Sequence, residues 1–240
     1  MELNERDRLV LQVLKAVNVC RSEELTWLSG FTDITYCRKR LQTLEKENYI
    51  KSYKPEVKHK YYTLTYKGQT ELEYKGKVYE FNEGTEHTLG TTTLITWLYI
   101  QYGISIFDVK TDRQLRKLSN TKMLHRPDVL LQGTAYECER TYKVLKRVEK
   151  NIMDNERFDK QIWVVPDSKQ IIRENIKKVI KKNMLQDVEI LSFDRIREDI
   201  KNADIHSNVM RNHKMLPDIE PVVNDTEFDD KFSKYQKRRK

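Results

Sequence analysis

Three carboxylates fall close together in residues 125–143, His-Arg-Pro-Asp-Val-Leu-Leu-Gln-Gly-Thr-Ala-Tyr-Glu-Cys-Glu-Arg-Thr-Tyr-Lys. Val129, Leu130 and Leu131 form a short apolar run. Gln132-Gly133 suits a two-residue turn, because glycine accepts the positive φ that hairpin turns require. Residues 134–140 then read as the return strand. A turn centred on Gln132-Gly133 sets Asp128 opposite Glu137, with Cβ atoms roughly 4.5–5.5 Å apart. Strand alternation puts Glu139 on the same side as Glu137. Three carboxylates on one face repel one another and call for a compensating cation. A hard divalent ion, Mg²⁺ or Mn²⁺, held by one or two carboxylates plus phosphate oxygens, meets that need. The plainer alternative is that Glu137 and Glu139, alternating with Tyr136 and Cys138, are the wet face of an edge strand.

The elements before this hairpin predict a first domain over residues 1–76. Asn4 is a good N-cap for a helix carrying Leu9, Val10, Val13, Leu14 and Val17 at helical spacing. Ser22 is expected to cap a short helix that Gly30 ends. Thr32 or Asp33 caps a third helix, 34–47, whose inward members are Ile34, Cys37, Leu41 and Leu44. Its other face offers Tyr36, Arg38, Lys39, Arg40 and Gln42. Strands are expected at 49–53 and 60–66, with a helix at 69–75. Three helices followed by a basic hairpin form a winged helix-turn-helix, and Lys60-Tyr-Tyr-Thr-Leu-Thr-Tyr-Lys-Gly68 resembles the wing strand of many bacterial winged-helix domains. In such folds the helix after the turn enters the major groove. Thr35, Tyr36, Arg38, Lys39 and Gln42, with Lys58, His59 and Lys60 in the wing, are therefore the candidates for DNA contact. The alternative is that the basic residues only solvate an amphipathic helix.

A polar connector, 74–84, leads to a second domain over residues 77–202. The predicted elements are a helix 85–102, a strand 104–109, a basic insert 110–124, the hairpin, a helix 140–154, a strand 161–165, a helix 168–182, a strand 188–193 and a helix 194–200. That order gives a mixed sheet with helices on both faces. The strand at 161–165 follows a crossover helix and should run parallel to its predecessor. The fold class is thus α+β followed by α/β. Residues 203–240 carry an acidic block and then a basic one, a composition that usually stays disordered.

Pro127-Asp128 followed by Glu137-x-Glu139 within this pattern resembles the PD-(D/E)xK nuclease superfamily. Asp128 and Glu137 match its two acidic ligands. Glu139 stands where the superfamily usually has Lys, and Lys143 is positioned to supply a displaced ammonium. The resemblance implies metal-assisted phosphodiester hydrolysis. The preceding winged helix, Glu86-His-Thr-Leu-Gly90 and Arg126-Pro-Asp-Val-Leu130 also look like the replication-relaxation family, which includes the MOBC class of plasmid relaxases. That likeness implies nicking of double-stranded DNA at a plasmid origin, with a second copy of the chain and conjugation or replication proteins as partners. It implies Asp128, Glu137, Glu139, Lys143 and His87 as catalytic residues, and Asp128, Glu137 and Glu86 as metal ligands. The alternatives are His87 as a capping or packing residue, and Lys143, Arg147 and Lys150 as a solvated stripe. His125 reads either as a turn residue or as a phosphate donor.

The formal net charge of +8 suits a polyanionic partner, although basicity alone also serves solubility. Three scattered cysteines make neither a disulfide framework nor a Cys-x-x-Cys zinc pair, so a reducing cytoplasm is expected. No stretch is long and apolar enough to span a bilayer, so no membrane insertion is expected. The chain has no His-x-His pair and no P-loop signature. A non-catalytic replication or transcription factor with an inactive nuclease-like scaffold, and a restriction-type endonuclease, are the competing readings.

Overall fold

The computed structural model describes residues 2–54, 60–118 and 125–204, and these form a mixed α+β chain. Contacts divide them into two units. The first runs to Val109 and includes the helix Phe193–Asn202; the second is Lys110–Ser192. The sequence had set the boundary at 76/77. Among the described residues no helix is long and apolar enough to cross a membrane. Residues 205–240, nearly all of the charged tail, lie outside the described residues.

In the first unit, helix α1 (Glu5–Val17) starts with a reciprocal cap. Asp7 N–H donates to Asn4 Oδ1 at 2.8 Å, and Asn4 N–H donates to Asp7 Oδ2 at 3.2 Å. Strand β1 (Cys20–Arg21) precedes α2 (Ser22–Leu28), which makes Arg21 rather than Ser22 the N-cap. Helix α3 (Ile34–Lys46) is capped by Asp33, which accepts from Tyr36 N–H at 2.6 Å. Its buried members are Cys37, Leu41 and Leu44. Arg40, expected on the outer face, turns back to the fully buried Asp7 and ties α3 to α1. Strands β2 (Ile50–Tyr53) and β3 (Tyr61–Leu64) complete an antiparallel sheet in the order β1-β3-β2. Helix α4 (Tyr66–Glu71) begins three residues earlier than its sequence suggests, because the Thr65 hydroxyl accepts from Gly68 N–H at 3.2 Å.

Helix α5 (Thr85–Tyr102) belongs with these elements, not with the hairpin. Thr92 Oγ1 donates to the carbonyl of Val19 at 3.0 Å, and Thr93 Oγ1 donates to the buried carboxylate of Glu24 at 2.6 Å. Trp97 Nε1 donates to Asp199 on the terminal helix at 2.9 Å. The connector that looked like a linker packs Tyr79 and Phe81 against Val19, Tyr61 and Leu89.

At the end of this stretch of the first unit, residues 104–109 do not form the expected strand, and the second unit begins only at Lys110. They make one 3₁₀ turn, Ile106–Asp108, started by the Ser105 hydroxyl. Strand β4 (Lys110–Thr111) and helix α6 (Asp112–Leu118) follow, in what read as a basic insert. Then come β5 (Val129–Leu131), β6 (Thr134–Cys138), α7 (Leu145–Asn155), β7 (Lys160–Val165), α8 (Gln170–Asn183) and β8 (Val188–Ser192). The five strands lie in chain order. β4, β5 and β6 pair antiparallel; β6, β7 and β8 pair parallel, as the crossover at α7 requires. The core packs Val148 and Ile152 of α7 and Ile172, Ile176 and Val179 of α8 against Trp163 and Val165 of β7.

The β5–β6 turn has the expected geometry. Gln132 and Gly133 both take positive φ, 45° and 80°, as a twisted two-residue hairpin turn demands. A Cβ on Gly133 would lie 2.0 Å from Asp159 Oδ2. Gly133→Ala is therefore expected to lower stability by about 1–2 kcal/mol through left-handed backbone strain, with Gly133→Asn losing less. Urea denaturation of both variants measures this, and an unchanged midpoint in Gly133→Ala would contradict it.

A candidate active site on the hairpin

The β5–β6 register pairs Val129 with Tyr136 and Leu131 with Thr134, which continues outward to Asp128 opposite Glu137. β6 is not an edge strand: β5 and β7 flank it. Glu137 pairs in register with Trp163 and so points to the face that α7 and α8 cover. It is only 2% exposed, which rules out the wet-face alternative.

A buried carboxylate needs donors. His125 Nε2 stands 2.6 Å from Glu137 Oε1, and Asn155 Nδ2 donates to the same oxygen at 2.8 Å. His125 is itself held through its backbone. Its N–H donates to Asp154 Oδ2 at 3.1 Å, and its carbonyl accepts from Arg157. The end of α7 thus fixes the residue that fixes Glu137. Burial pushes the Glu137 carboxyl above its ordinary range and the charge of Asp128 adds to this, while the His125 and Asn155 contacts oppose it. Asp128 accepts from Cys138 N–H at 2.8 Å, a bond that closes the open end of the hairpin.

Glu139 lies just past β6. Its N–H donates to the Val164 carbonyl at 2.9 Å, continuing the ladder. Its carboxylate accepts from Thr141 N–H and Oγ1 and is paired with Lys143. The helix expected over 140–154 starts only at Leu145, so Lys143 reaches Glu139 from the irregular segment before it and not from one helical turn onward. The expected convergence of three carboxylates is corrected accordingly. Asp128 and Glu137 act on each other, whereas Glu139 holds an ammonium. Among the described residues no three His, Cys, Asp or Glu side chains form a group able to hold a metal ion.

Glu86 and His87 stand on α5, in the first unit, where Glu86 accepts from the Tyr61 hydroxyl at 3.2 Å. On α3 the side chains of Thr35, Tyr36, Arg38, Lys39 and Gln42 are exposed, and Arg38 also donates to Glu23 at 2.8 Å. Lys60 pairs with Glu45 at 3.2 Å. Lys58 and His59 lie outside the described residues.

No family model, curated protein or solved structure matches the chain. Its chemistry has to be read from the site alone.

A hard divalent ion fits the donors in one respect. Asp128 and Glu137 supply two anionic oxygens, and the buried Asn155 Oδ1 beside them has no hydrogen-bond partner. Two carboxylates with phosphate and water oxygens suffice for Mg²⁺. Sequence reasoning left His125 undecided and missed Asn155 altogether. His125 could have been flagged by its place three residues before Asp128. Asn155 carries no local signal, because only the packing of α7 brings it to the strand.

The raised Glu137 carboxyl has a measurable consequence. The folded state binds this proton more tightly than the unfolded chain does, so protonation favours the fold. That contribution is complete below the unfolded pKa and is lost as pH climbs through the folded one. In EDTA-containing buffer, the urea midpoint of the wild type should fall relative to that of Glu137→Gln as pH rises from the ordinary carboxylate range. A constant difference between the two proteins would contradict the assignment.

Proposed function

We propose that the chain is a sequence-specific DNA-binding protein that nicks DNA in a metal-dependent reaction, in the manner of the relaxases of plasmid transfer or replication. The observation that carries this reading is the Asp128–Glu137 pair, two acidic groups on neighbouring strands with Glu137 buried and clamped by His125 and Asn155.

The first unit supports the DNA-binding half. Its order, α1-β1-α2-α3-β2-β3 with sheet order β1-β3-β2, supports the reading as a winged helix-turn-helix. In that arrangement α3 is the helix that enters the major groove. Its exposed Thr35, Tyr36, Arg38, Lys39 and Gln42 read base edges and phosphates, with Lys60 at the base of the wing. The second unit supports the hydrolytic half. Its mixed sheet, with Asp128 at the mouth of the hairpin, Glu137 on the central strand and Glu139 just past it, supports the reading as a PD-(D/E)xK-type domain.

Asp128, Glu137 and the Asn155 amide oxygen would hold Mg²⁺ or Mn²⁺, which activates water and offsets charge on the scissile phosphate. His125 and Asn155 keep the Glu137 carboxylate in one orientation. Lys143 is held at the site by Glu139 and offers its ammonium to the negative charge that builds on phosphate oxygens. Glu86 and His87 are not given a role in this chemistry.

A second reading has one observation in its favour. Each acidic group already has a protein partner: Asp128 the Cys138 N–H, Glu137 the His125 ring and Asn155, and Glu139 the Lys143 ammonium. A scaffold domain on a DNA-binding replication or transcription factor would look the same.

Nicking of supercoiled plasmid in Mg²⁺ or Mn²⁺ separates the two. Asp128→Ala and Glu137→Ala should each abolish nicking and leave duplex binding intact; nicking retained in both removes the catalytic assignment. Lys39→Ala should weaken duplex binding and reduce the slope of log affinity against log salt by about 1, the share of one phosphate contact. An unchanged slope would take α3 out of the interface.

A further inference from the structure

Residues 140–144 link Glu139 to α7 outside any helix or strand, with a bend at Thr141. Lys143 turns inward to Glu139, and its side chain is only 19% exposed. Its neighbours Tyr142 and Val144 are 64% and 59% exposed. Leu145, the first residue of α7, is exposed as well. Three exposed large apolar residues within four positions are more than the scattered exposure that soluble proteins ordinarily carry.

The chain that follows is basic. Val148 and Ile152 take the inner face of α7, which leaves Lys146, Arg147 and Lys150 exposed. The surface is therefore a flat aromatic ring and two aliphatic side chains followed by three cations, joined to the candidate site through the Lys143–Glu139 pair. A protein partner with an apolar contact would answer the ring but not the cations. Duplex phosphates would answer the cations and leave the ring unused. A single DNA strand answers both, since its bases have open faces to stack and its phosphates need cations.

We propose that residues 142–150 form a stacking platform for an unpaired DNA strand beside the carboxylate pair. Tyr142 carries a base, Val144 and Leu145 shield its edge, and Lys146, Arg147 and Lys150 take the phosphates. This rests on the reading of the second unit as a nuclease and adds the form of its substrate: a strand already separated from its complement at the point of cleavage.

The test uses the full chain without added metal and follows fluorescein-labelled oligo-dT by anisotropy. Tyr142→Ala should weaken binding about 5- to 100-fold, and Tyr142→Phe should keep it, because stacking needs the ring and not the hydroxyl. The double variant Lys146→Ala/Arg147→Ala should lower the salt slope for oligo-dT by about 1.4, two single-strand phosphate contacts. An oligonucleotide carrying 5-iododeoxyuridine should photocrosslink to Tyr142, located by mass spectrometry. Unchanged oligo-dT affinity in Tyr142→Ala overturns the platform. So does an equal loss of oligo-dT affinity in Lys39→Ala, which would assign the binding to α3. Failure of the nuclease reading appears elsewhere, as nicking that survives Asp128→Ala, and is not confused with either result.

Discussion

A carboxylate in the middle of a sheet must find donors, give up its charge, or both. Glu137 does both. Its position on β6, between β5 and β7, removes it from water, and His125 and Asn155 converge on one of its oxygens. Much of the second unit follows from this demand. The end of α7 must lie over the strand to bring Asn155 into range. Asp154 and Arg157, from the same end, hold the backbone of His125 so that its ring can reach. The core contacts of Val148 and Ile152 with Trp163 and Val165 keep that helix seated. Moving any of these leaves a buried charge without a partner, and such groups are costly.

The first unit is organised around a comparable demand. Glu24 is buried on α2 and accepts from Arg21 and from Thr93 of α5. Asp7 is buried on α1 and paired with Arg40 of α3. The first ties α2 to α5, and the second ties α1 to α3, the helix whose outer face is exposed. All three cysteines are buried, and burial pushes each thiol up, which removes them from nucleophilic chemistry.

The hairpin was the most legible part of the sequence. Glycine in a two-residue turn between apolar strands fixes pairing, and pairing fixed Asp128 opposite Glu137. Helices α1 and α3 were legible for the same kind of reason, a cap followed by regular apolar spacing. Boundaries failed where the deciding contact is distant. Helix α5 joined the wrong domain on sequence grounds because Thr92 and Thr93 look like surface residues, yet their hydroxyls bind Val19 and Glu24, about seventy positions away. Residues 104–109 have strand-like composition, but the Ser105 hydroxyl starts a turn there. Helix α7 starts late because its N-cap is Val144, and the segment before it is occupied by the contacts of Thr141 and Lys143 with Glu139. Asn155 was invisible for the same reason: nothing near it in sequence announces Glu137.

The turn at Gln132-Gly133 also limits how this hairpin can change over time. With two residues in the turn and partners on both flanks of β6, inserting or deleting a single residue would flip the strand's parity. Tyr136 and Cys138 would then face α7, and Glu137 would turn away from Asp128, His125 and Asn155. A length change at this tip must therefore be absorbed in the turn itself, as a longer loop or a bulge, for Glu137 to stay opposite Asp128.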